Sequence, residues 1–464
     1  MPSTFTVTTT RDVVDPADGK LSLREAISRA NNHKGGDVIA LPAGVFRIAI
    51  AGAGEDGNLT GDFDVSGSTL FLGAGAGATV VDGQGLDRVF DVLGFDPGST
   101  TVPFQALDRV IDGLVGAPGS MTVVFQGLTV RNGLVDAGDG GGIRVSDANL
   151  VVRDCAVTGN QAPGGGGGGI SNDTLPGTGD VKLVRSLIAH NVTGGDGGGV
   201  SVLGNEEGLG SVLTILGSTV RRNLAVNAGG IRASVVNLTD SNVSGNTAAN
   251  TGGGILATTA MLTNSTVSDN SAVDVGGGIA ADRATLTNST VSDNSVHGEG
   301  GGISVGVLSL VRSTVEGNFG IIGGGVSAVR ATLTNSTISD NSAGDSGGGL
   351  RATDAILTNS TVSGNSADLR GGGILVGAVT LLNVTITDNR AREGGGVFLL
   401  AGGTSSVRNT IIADNLVDSA GAGPDVSGAF TSGGHNLIGD GTGGTGFTNG
   451  VDGDMVGTST NPID

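Results

Sequence analysis

One phrase of about 24 residues returns copy after copy through the middle of the chain, and this repeat limits the folds that the sequence can adopt. The stretch GGGIAADRATLTNSTVSDNS at 276–295 has near copies that begin at 252 and 323. Between Asn223 and Asn389 the closing Asn recurs every 23 or 24 residues. A repeat of this length indicates a solenoid, in which each copy buries its apolar side chains against the neighbouring copies.

The apolar residues within each copy alternate with polar ones, as short strands require. In the copy at 276–299, three pairs of residues stand two positions apart: Ile279 and Ala281, Ala284 and Leu286, and Ser289 and Val291. The columns of Ile279 and Leu286 stay aliphatic from copy to copy, so we expect both to face inward. The Ile279 column reads Ile143, Ile170, Val200, Ile231, Ile255, Ile303, Val326, Leu350, Ile374 and Val397.

The sequence therefore predicts an all-β fold, a right-handed parallel β-helix with three short strands in each turn of about 24 residues. The Gly triplets are expected to allow backbone angles that a side chain would oppose. The Asn residues of TNST and SDNS are expected to lie at bends, where Asn tolerates a positive φ and its amide can bond its neighbour one turn away.

An amphipathic segment, LSLREAISRANN at 21–32, predicts an N-terminal helix near 22–32. Ser22 and Glu25 have the spacing of a capping box. The apolar face of this helix is formed by Leu23, Ala26, Ile27 and Ala30. Because the open end of a β-helix exposes unpaired strand edges, we expect the helix to cover the first turn.

The same segment resembles a known family. KLSLREAISRANN, followed by GGDVIALPAGVF, is similar to the CSLREA-type N-terminal region of bacterial right-handed parallel β-helix repeat proteins, with Leu21 in place of the usual Cys. The resemblance continues through 70–90, QGLTVRNG at 126–133 and SGGHNLIGDGTGG at 432–444. It implies an exported or cell-surface protein. Family members usually continue beyond a segment such as NPID, so it also implies that this chain is a truncated piece.

We therefore expect a single β-helix domain over 1–464, with a cap region at 1–60, stacked turns over 61–415 and irregular C-terminal turns at 416–464. The start, MPSTFTVTTTRD, lacks the basic and apolar parts of a signal peptide. The expected location is extracellular or at the cell surface, with the signal peptide and anchor outside this sequence. The single cysteine, Cys155, is expected to be buried.

The net charge of the chain limits the classes of partner that it is expected to bind. Asp and Glu number 44 against 24 Lys and Arg, a net charge of −20. This balance argues against nucleic acid, because phosphate binding needs a basic surface. The sequence contains no run of eighteen apolar residues, so it predicts no transmembrane segment. The expected partner is a cell-surface or polysaccharide ligand of unknown identity.

An enzyme that cleaves polysaccharide would need a Lys or Arg base beside carboxylates, or two clustered carboxylates, on outward strand positions. No carboxylate occurs in the predicted outward column, so no catalytic residue is predicted. That column reads Arg144, Ser171, Ser201, Arg232, Leu256, Ala280, Ser304, Ser327, Arg351, Leu375 and Phe398. Carboxylates from Asp139 to Glu393 precede the Gly triplets at varying offsets. With Arg370 and Arg392 nearby they could form a cation or sugar site, but the interpretation that we favour is a solvated acidic rim.

The Asp of SDN forms a second candidate column, in which carboxylates on successive turns could hold Ca²⁺. The column reads Asp269, Asp293, Gly317, Asp340, Gly364, Asp388 and Asp414. Because Gly interrupts it, local hydrogen bonding at a turn is the favoured interpretation and calcium the alternative. No other cofactor is predicted.

Outward hydroxyls form the most regular column: Thr266, Thr290, Thr314, Thr337, Thr361 and Thr385. A file of Ser and Thr runs beside it, interrupted by Glu316, and Asn242 stands in the Thr position of an earlier copy. Such an array favours ice or a crystalline polysaccharide as partner, although Thr is also a common residue of solvated strands.

These patterns together favour a non-catalytic extracellular or cell-surface module of a bacterium, adhesin-like or a spacer, with glycan as its ligand. A polysaccharide lyase or a glycoside hydrolase is the first alternative. Ice binding through the Thr column is the second.

Overall fold

A computed structural model describes residues 2–33, 35–94, 121–172, 179–203 and 211–463. The strands in these ranges stack in three sheets, and each named strand pairing is parallel. This arrangement confirms the predicted parallel β-helix. The chain forms two compact units, Met1–Thr247 and Ala248–Asp464. The single domain expected over 1–464 stays a prediction.

The N-terminal unit contributes strands to all three sheets. Its first sheet contains Thr4–Thr6, Asp37–Ala40, Phe63–Val65, Thr69–Leu72, Phe90–Leu93, Met121–Gln126, Ile143–Ser146, Ala148–Arg153, Ile170–Asn172, Val181–Val184, Val200–Val202, Val212–Leu216 and Ile231–Thr239. Its second sheet contains Gly44–Arg47, Thr79–Asp82, Thr129–Arg131, Ala156–Thr158, Leu187–Ala189, Thr219–Arg221 and Asn242–Ser244. Its third sheet contains Gln161–Ala162, Val192–Thr193 and Leu224–Ala225, and strand Thr247–Ala248 contains the boundary between the units.

The C-terminal unit repeats the same three-sheet arrangement. Its first sheet contains Ile255–Thr263, Ile279–Thr287, Ile303–Val311, Val326–Thr334, Leu350–Thr358, Ile374–Leu382, Val397–Arg408, Val426–Ala429 and Gly444–Thr445. Its second sheet contains Thr266–Ser268, Thr290–Ser292, Thr314–Glu316, Thr337–Ser339, Thr361–Ser363, Thr385–Thr387, Ile411–Ile412, Leu437–Ile438 and Met455–Val456. Its third sheet contains Ser271–Ala272, Ser295–Val296, Phe319–Ile322, Ser342–Ser346, Ser366–Ala367, Arg390–Glu393 and Leu416–Ala422.

The division of one turn into strands differs from the prediction. The two segments predicted around Ile279 and Leu286 form one strand, Ile279–Thr287, and a short third strand, Ser295–Val296, directly follows Asn294. The long strand changes phase in its middle, where Asp282 and Arg283 are both exposed. This change suggested a break between two strands. The third strand is too short to show a period in the sequence.

Both predicted aliphatic columns are buried. Ile279 and Leu286 are 0% exposed, and the equivalent residues on the neighbouring turns are buried as well. Registered pairing places Ile279 on Ile303 and Leu286 on Leu310. The predicted burial of Cys155 is also confirmed, and burial raises the pKa of its thiol to about 12. The core of the repeated turns therefore consists of aliphatic side chains stacked in columns.

The Asn that closes each repeat belongs to a buried ladder. The side chain of Asn294 donates to Oδ1 of Asn318 at 3.0 Å, and the backbone N–H of Asn294 donates to the same oxygen at 3.0 Å. Asn318 repeats both bonds to Asn341. The predicted bond to the next turn is therefore confirmed. The positive φ, however, belongs to the preceding Asp293, at 57°, so the Asn itself does not take the expected left-handed conformation.

The Gly triplet is required for two reasons: a positive φ at its first position, and the close approach of neighbouring backbone at its second and third positions. Gly276, the first of its triplet, has φ 63°, as predicted. A Cβ on Gly277 would lie 2.5 Å from the carbonyl oxygen of Ser295, and one on Gly278 would lie 2.6 Å from that of Gly302. The second and third glycines are therefore needed because the backbones of adjacent turns pass too closely for a side chain.

The predicted N-terminal helix is present at Leu23–Asn31, with Ser22 as its N-cap and a complete capping box. Its apolar face is buried and contacts the first strands. Arg24, also on this helix, is 0% exposed. It pairs with Asp12 at 2.8 Å and donates to the carbonyl oxygens of Gly61 and Asp62. The helix thus fixes the segment that precedes Phe63. In the described part of the chain no helix has the length and apolar character needed to cross a bilayer.

Candidate functional site

The tripeptide Phe-Asp-Val occurs at 63–65 and again at 90–92, and the structure pairs the two copies in register. The Phe and Val side chains of both copies are buried in the core. Asp64 and Asp91 therefore lie together on the opposite face of the sheet. Arg144, on the next paired strand, lies in register with Asp91.

The predicted outward column begins at Arg144 and therefore lacks these two carboxylates. The register shows that the column starts earlier, with Asp64 and Asp91, so the expectation that no carboxylate lies on it is corrected. The Gly triplet that marks later turns does not precede these strands. The repeated Phe-Asp-Val was the signal in the sequence that would have revealed them.

An aromatic cluster lies beneath this face. Ring centroids are 5.6 Å apart for Phe63 and Phe90, 4.7 Å for Phe90 and Phe125, and 4.8 Å for Phe71 and Phe125. Packed rings of this size bury a large apolar area and restrict one another. The backbone positions of Asp64 and Asp91 are therefore fixed from the core side.

A loop at 55–60 closes over Asp64. The backbone N–H of Asn58 donates to Oδ2 of Asp64 at 2.7 Å, and its side chain donates to the carbonyl oxygen of Arg24 and to the Ser28 hydroxyl. Asn58 has φ 57°, a conformation that Asn tolerates better than most residues. The loop is thus attached to the N-terminal helix, and it leaves Asp64 1% exposed.

Two guanidinium groups hold Asp91. Arg144 donates to both carboxylate oxygens, through Nε at 2.9 Å and with Nη2 at 2.6 Å from the second oxygen. Arg88 pairs with Asp91 through Nη1. The Nε of Arg88 lies 3.4 Å from Oδ2 of Asp62 but has no hydrogen-bond partner among the described residues, since the contact is not aligned for one. Asp91 is therefore the centre of a buried charge network.

These residues line a cleft of about 470 Å³ in the N-terminal unit. That volume falls within the usual range of small-molecule sites. Charged side chains dominate its wall. The lining consists of Ala53, Gly54, Glu55, Asp56, Asp62, Leu86, Asp87, Arg88, Asp91, Leu134, Val135, Asp136, Ala137 and Arg144.

Burial and nearby like charges change the pKa values of the carboxyl groups in and beside the cleft. Burial, with repulsion from Asp87 and Asp64, raises the pKa of Asp62 to about 8. Burial and the charge of Asp91 raise the pKa of Asp64 to about 7, against the lowering effect of the Asn58 hydrogen bond. Burial also raises the pKa of Asp87. Strongly shifted carboxyl groups in one cleft are typical of functional sites.

The rim carboxylate of Glu55 behaves in the opposite way. Burial acts to raise its pKa, but hydrogen bonds from the backbone N–H groups of Thr60, Gly57 and Leu59 outweigh that effect, so the pKa is lowered. Glu55 therefore stays ionised at the rim. Its charge adds to the negative potential of the cleft.

One oxygen from each of Asp56, Asp64 and Asp91 lies within 4.8 Å of the other two. Asp56 is exposed, whereas the other two are buried. Oδ1 of Asp64 has no hydrogen-bond partner among the described residues. Carboxylate oxygens gathered in this way can accept hydrogen bonds from a ligand or bind a hard cation.

The predicted Thr column forms a straight ladder in the second sheet of the C-terminal unit. Thr266 pairs with Thr290, and the pairing continues in register through Thr314, Thr337, Thr361 and Thr385. All six side chains are half-buried. The structure brings these residues together as the sequence implied, and their role in surface binding stays a prediction.

The other predicted columns occupy turns. Asp269, Asp293 and the equivalent Asp residues have φ near 57°, and the Gly residues that replace them have φ near 65°. This shared left-handed conformation explains why Asp and Gly interchange there. Asp56, Asp64 and Asp91 form the one convergent group of potential ligands found among the described residues, and it lies outside this column. Calcium binding by the column stays a prediction.

The acidic residues before the Gly triplets are exposed or half-buried. Where they pair, they do so with Arg residues of other turns: Arg370 lies 3.0 Å from Glu393 of the next turn, and Arg351 lies 3.7 Å from Glu299, two turns away. Exposed pairs of this kind contribute little stability. The arrangement agrees with the solvated rim that the sequence favours.

Comparison with known proteins gives one structural likeness. The chain is similar to the AlgE6 A-module of mannuronan C-5 epimerase from Azotobacter vinelandii, with 15% identity, 88% of this chain and 98% of that chain covered, and a TM-score of 0.37. The fold assignment rests on the strand pairing described above. No protein-family model matches the chain. No curated protein matches it either.

Proposed function

We propose that this chain is a carbohydrate-binding β-helix module that acts outside the cell, and that its ligand occupies the acidic cleft of the N-terminal unit. The supporting observation is that charged donors and acceptors converge on this cleft, while two buried polar atoms in its wall and beside it have no hydrogen-bond partner among the described residues. The Nε of Arg88 is an unused donor, and Oδ1 of Asp64 is an unused acceptor. A hydroxyl group can donate and accept at once, so a ligand rich in hydroxyl groups suits a wall that contains both carboxyl and guanidinium groups.

Leaving such groups unsatisfied is costly. A buried polar atom without a partner costs roughly 1–3 kcal/mol, and more when it is charged. A bound sugar that completes these bonds would recover part of that free energy. The size of the cleft, about 470 Å³, suits a ligand of one or two sugar rings.

The proposed location outside the cell rests on the resemblance of the N-terminal segment to exported and cell-surface β-helix proteins. The net charge of −20 is compatible with that location, because it favours solubility without a basic patch for nucleic acid. In this proposal the regular turns of the C-terminal unit serve as a spacer that presents the cleft.

A binding assay with matched variants tests the proposal. The full chain is applied to a panel of polysaccharides and bacterial cell-wall glycans, and affinity for the best ligand is then measured for Arg144→Gln and Thr290→Val. We expect Arg144→Gln to weaken binding at least tenfold, because it removes a guanidinium that holds Asp91, and Thr290→Val to leave it unchanged. Loss of binding in Thr290→Val alone would assign the ligand to the Thr ladder and contradict the proposal.

A polysaccharide lyase or glycoside hydrolase is the second candidate, and one observation favours it. The carboxyl group of Asp62, with its pKa raised to about 8, is largely protonated at neutral pH and sits beside Arg88 and further carboxylates. A protonated carboxyl can serve as general acid toward a glycosidic oxygen. Such a site would turn over its ligand rather than only bind it.

Turnover separates the two candidates. A hydrolase releases reducing ends from the same panel, and a lyase releases unsaturated products that absorb in the ultraviolet. If the chain is an enzyme, Asp62→Asn should abolish the release, while Asp274→Asn, an exposed position in the C-terminal unit, should not. Binding without any product would favour the non-catalytic module.

A further inference from the structure

Asp56, Asp64 and Asp91 bring three carboxyl groups together at one point of the N-terminal unit. One oxygen from each lies within 4.8 Å of the other two. Oxygen ligands of Ca²⁺ stand about 2.3–2.6 Å from the ion, so two of them on opposite sides are about 4.6–5.2 Å apart. The three oxygens can therefore share one coordination sphere. We propose that these three carboxylates bind a single Ca²⁺ ion at the edge of the cleft, whose wall includes Asp56 and Asp91.

An unused buried acceptor gives independent support. Asp64 is 1% exposed, and its Oδ1 has no hydrogen-bond partner in the described ranges, although its Oδ2 accepts the Asn58 N–H. Burying a carboxylate oxygen in this state is unfavourable unless a cation or a donor completes it. A purely structural role does not require Asp at position 64, since the side chain of Asn or Ser could also accept the hydrogen bond from the Asn58 N–H.

The ligand set selects the class of ion. All three groups offer carboxylate oxygen, and neither His nor Cys lines the described cleft. Hard cations prefer such ligands, whereas Zn²⁺ prefers nitrogen and sulfur. Three protein ligands leave positions for water or for a ligand hydroxyl, which the flexible coordination of Ca²⁺ accommodates better than the strict octahedron of Mg²⁺.

The two arginines on Asp91 do not exclude the ion. A carboxylate has about four lone-pair positions. Arg144 and Arg88 together make three contacts with the two oxygens of Asp91. Glu55, Asp62 and Asp87 add further carboxyl groups to the cleft wall, so carboxyl groups outnumber guanidinium groups there. This inference does not depend on the proposed glycan ligand, because it concerns binding of the ion alone.

Calorimetric titration of the chelator-treated full chain with CaCl₂ tests the site, in a buffer with about 0.15 M salt to screen the acidic surface. We expect one Ca²⁺ ion per chain. Asp56→Asn and Asp64→Asn should each weaken Ca²⁺ binding at least tenfold. The matched control, Asp136→Asn, removes a carboxylate from the same cleft wall without removing one of the three ligands, and it should bind Ca²⁺ as the unmodified chain does.

Several results would overturn the inference. These are no binding, only weak binding at many sites, Mg²⁺ binding as tight as Ca²⁺ binding, or unchanged affinity in Asp56→Asn. Because Asp56 is exposed, that variant should fold normally, and its circular dichroism should match that of the unmodified chain. Equal loss of affinity in Asp136→Asn would show that general negative charge, and not the three-carboxylate site, attracts the ion.

Discussion

At the scale of single residues, the buried Asn of each turn links that turn to its neighbours by hydrogen bonds. Each Asn satisfies a backbone N–H and a side-chain donor of the preceding turn while it bonds forward to the next. The ladder ends at Asp425, whose Oδ1 accepts from both the backbone and the side chain of Asn415. An Asp can end the ladder because it accepts and needs no further neighbour.

Removing one member of this ladder should therefore be costly. Asn318→Ala leaves the backbone N–H of Asn294 without its acceptor and removes the bonds from the Asn318 side chain to the carbonyl oxygen of Val291 and to Oδ1 of Asn341. We expect a loss of roughly 2–5 kcal/mol in the free energy of unfolding of the C-terminal unit. Urea denaturation followed by circular dichroism measures it. Asn288→Gly is the control, because Asn288 lies exposed at φ 50° and should tolerate Gly with little change.

The raised pKa of Asp62 predicts a particular dependence of stability on pH. A carboxyl group whose folded pKa of about 8 exceeds its unfolded value of 3.8 binds more protons in the folded state between those values. The free energy of unfolding therefore falls as pH rises through that window. Asp62→Asn removes this penalty, so its stability relative to the unmodified chain should improve by roughly 1–3 kcal/mol between pH 5 and about pH 8.

Thermal unfolding at several pH values, with chelator present, checks this expectation. The control is Asp274→Asn, which removes an exposed carboxylate and should show a difference that does not change with pH. A constant difference between Asp62→Asn and the unmodified chain would mean that Asp62 is not buried as described.

At the scale of strands and turns, the features that could be predicted from the sequence are those that depend on the repeat period or on helix capping. The columns of Ile279 and Leu286, the Thr ladder and the helix at Leu23–Asn31 follow from period and capping, which act locally. The site was missed because Asp64 and Asp91 come from turns without the Gly triplet. Their burial depends on the loop at 55–60 and on Arg88, and these contacts occur only once, so they leave no period in the sequence.

The assignment of inward and outward faces predicts unequal losses of stability for substitutions on two neighbouring strands. Leu286→Asp places a charge without a partner in the aliphatic column and should lower the free energy of unfolding by several kcal/mol, about 3 or more. Thr290→Asp changes a half-buried outward position and should cost less than about 1 kcal/mol. Equal shifts in the denaturation midpoint would show that the faces are assigned wrongly.

At the scale of the whole molecule, the described residues show different chemistry in the two units. The N-terminal unit contains buried ion pairs, such as Arg24 with Asp12 and Arg88 with Asp91, and the aromatic cluster beneath the cleft. The ion pairs of the C-terminal unit are exposed, and its core is a repeated aliphatic stack. The buried charges beside the cleft, with the raised pKa values of Asp62 and Asp87, favour the N-terminal unit as the place of function.

Hydrogen–deuterium exchange of the full chain, with and without the best-binding polysaccharide of the panel, tests this central claim most directly. We expect the ligand to slow exchange in peptides that cover 53–64, 86–94 and 134–144, which line the cleft, and to leave the strands of the Thr ladder unchanged. Protection confined to peptides that contain Thr266, Thr290 or Thr314 would contradict it, as would a binding ligand that protects no part of the N-terminal unit.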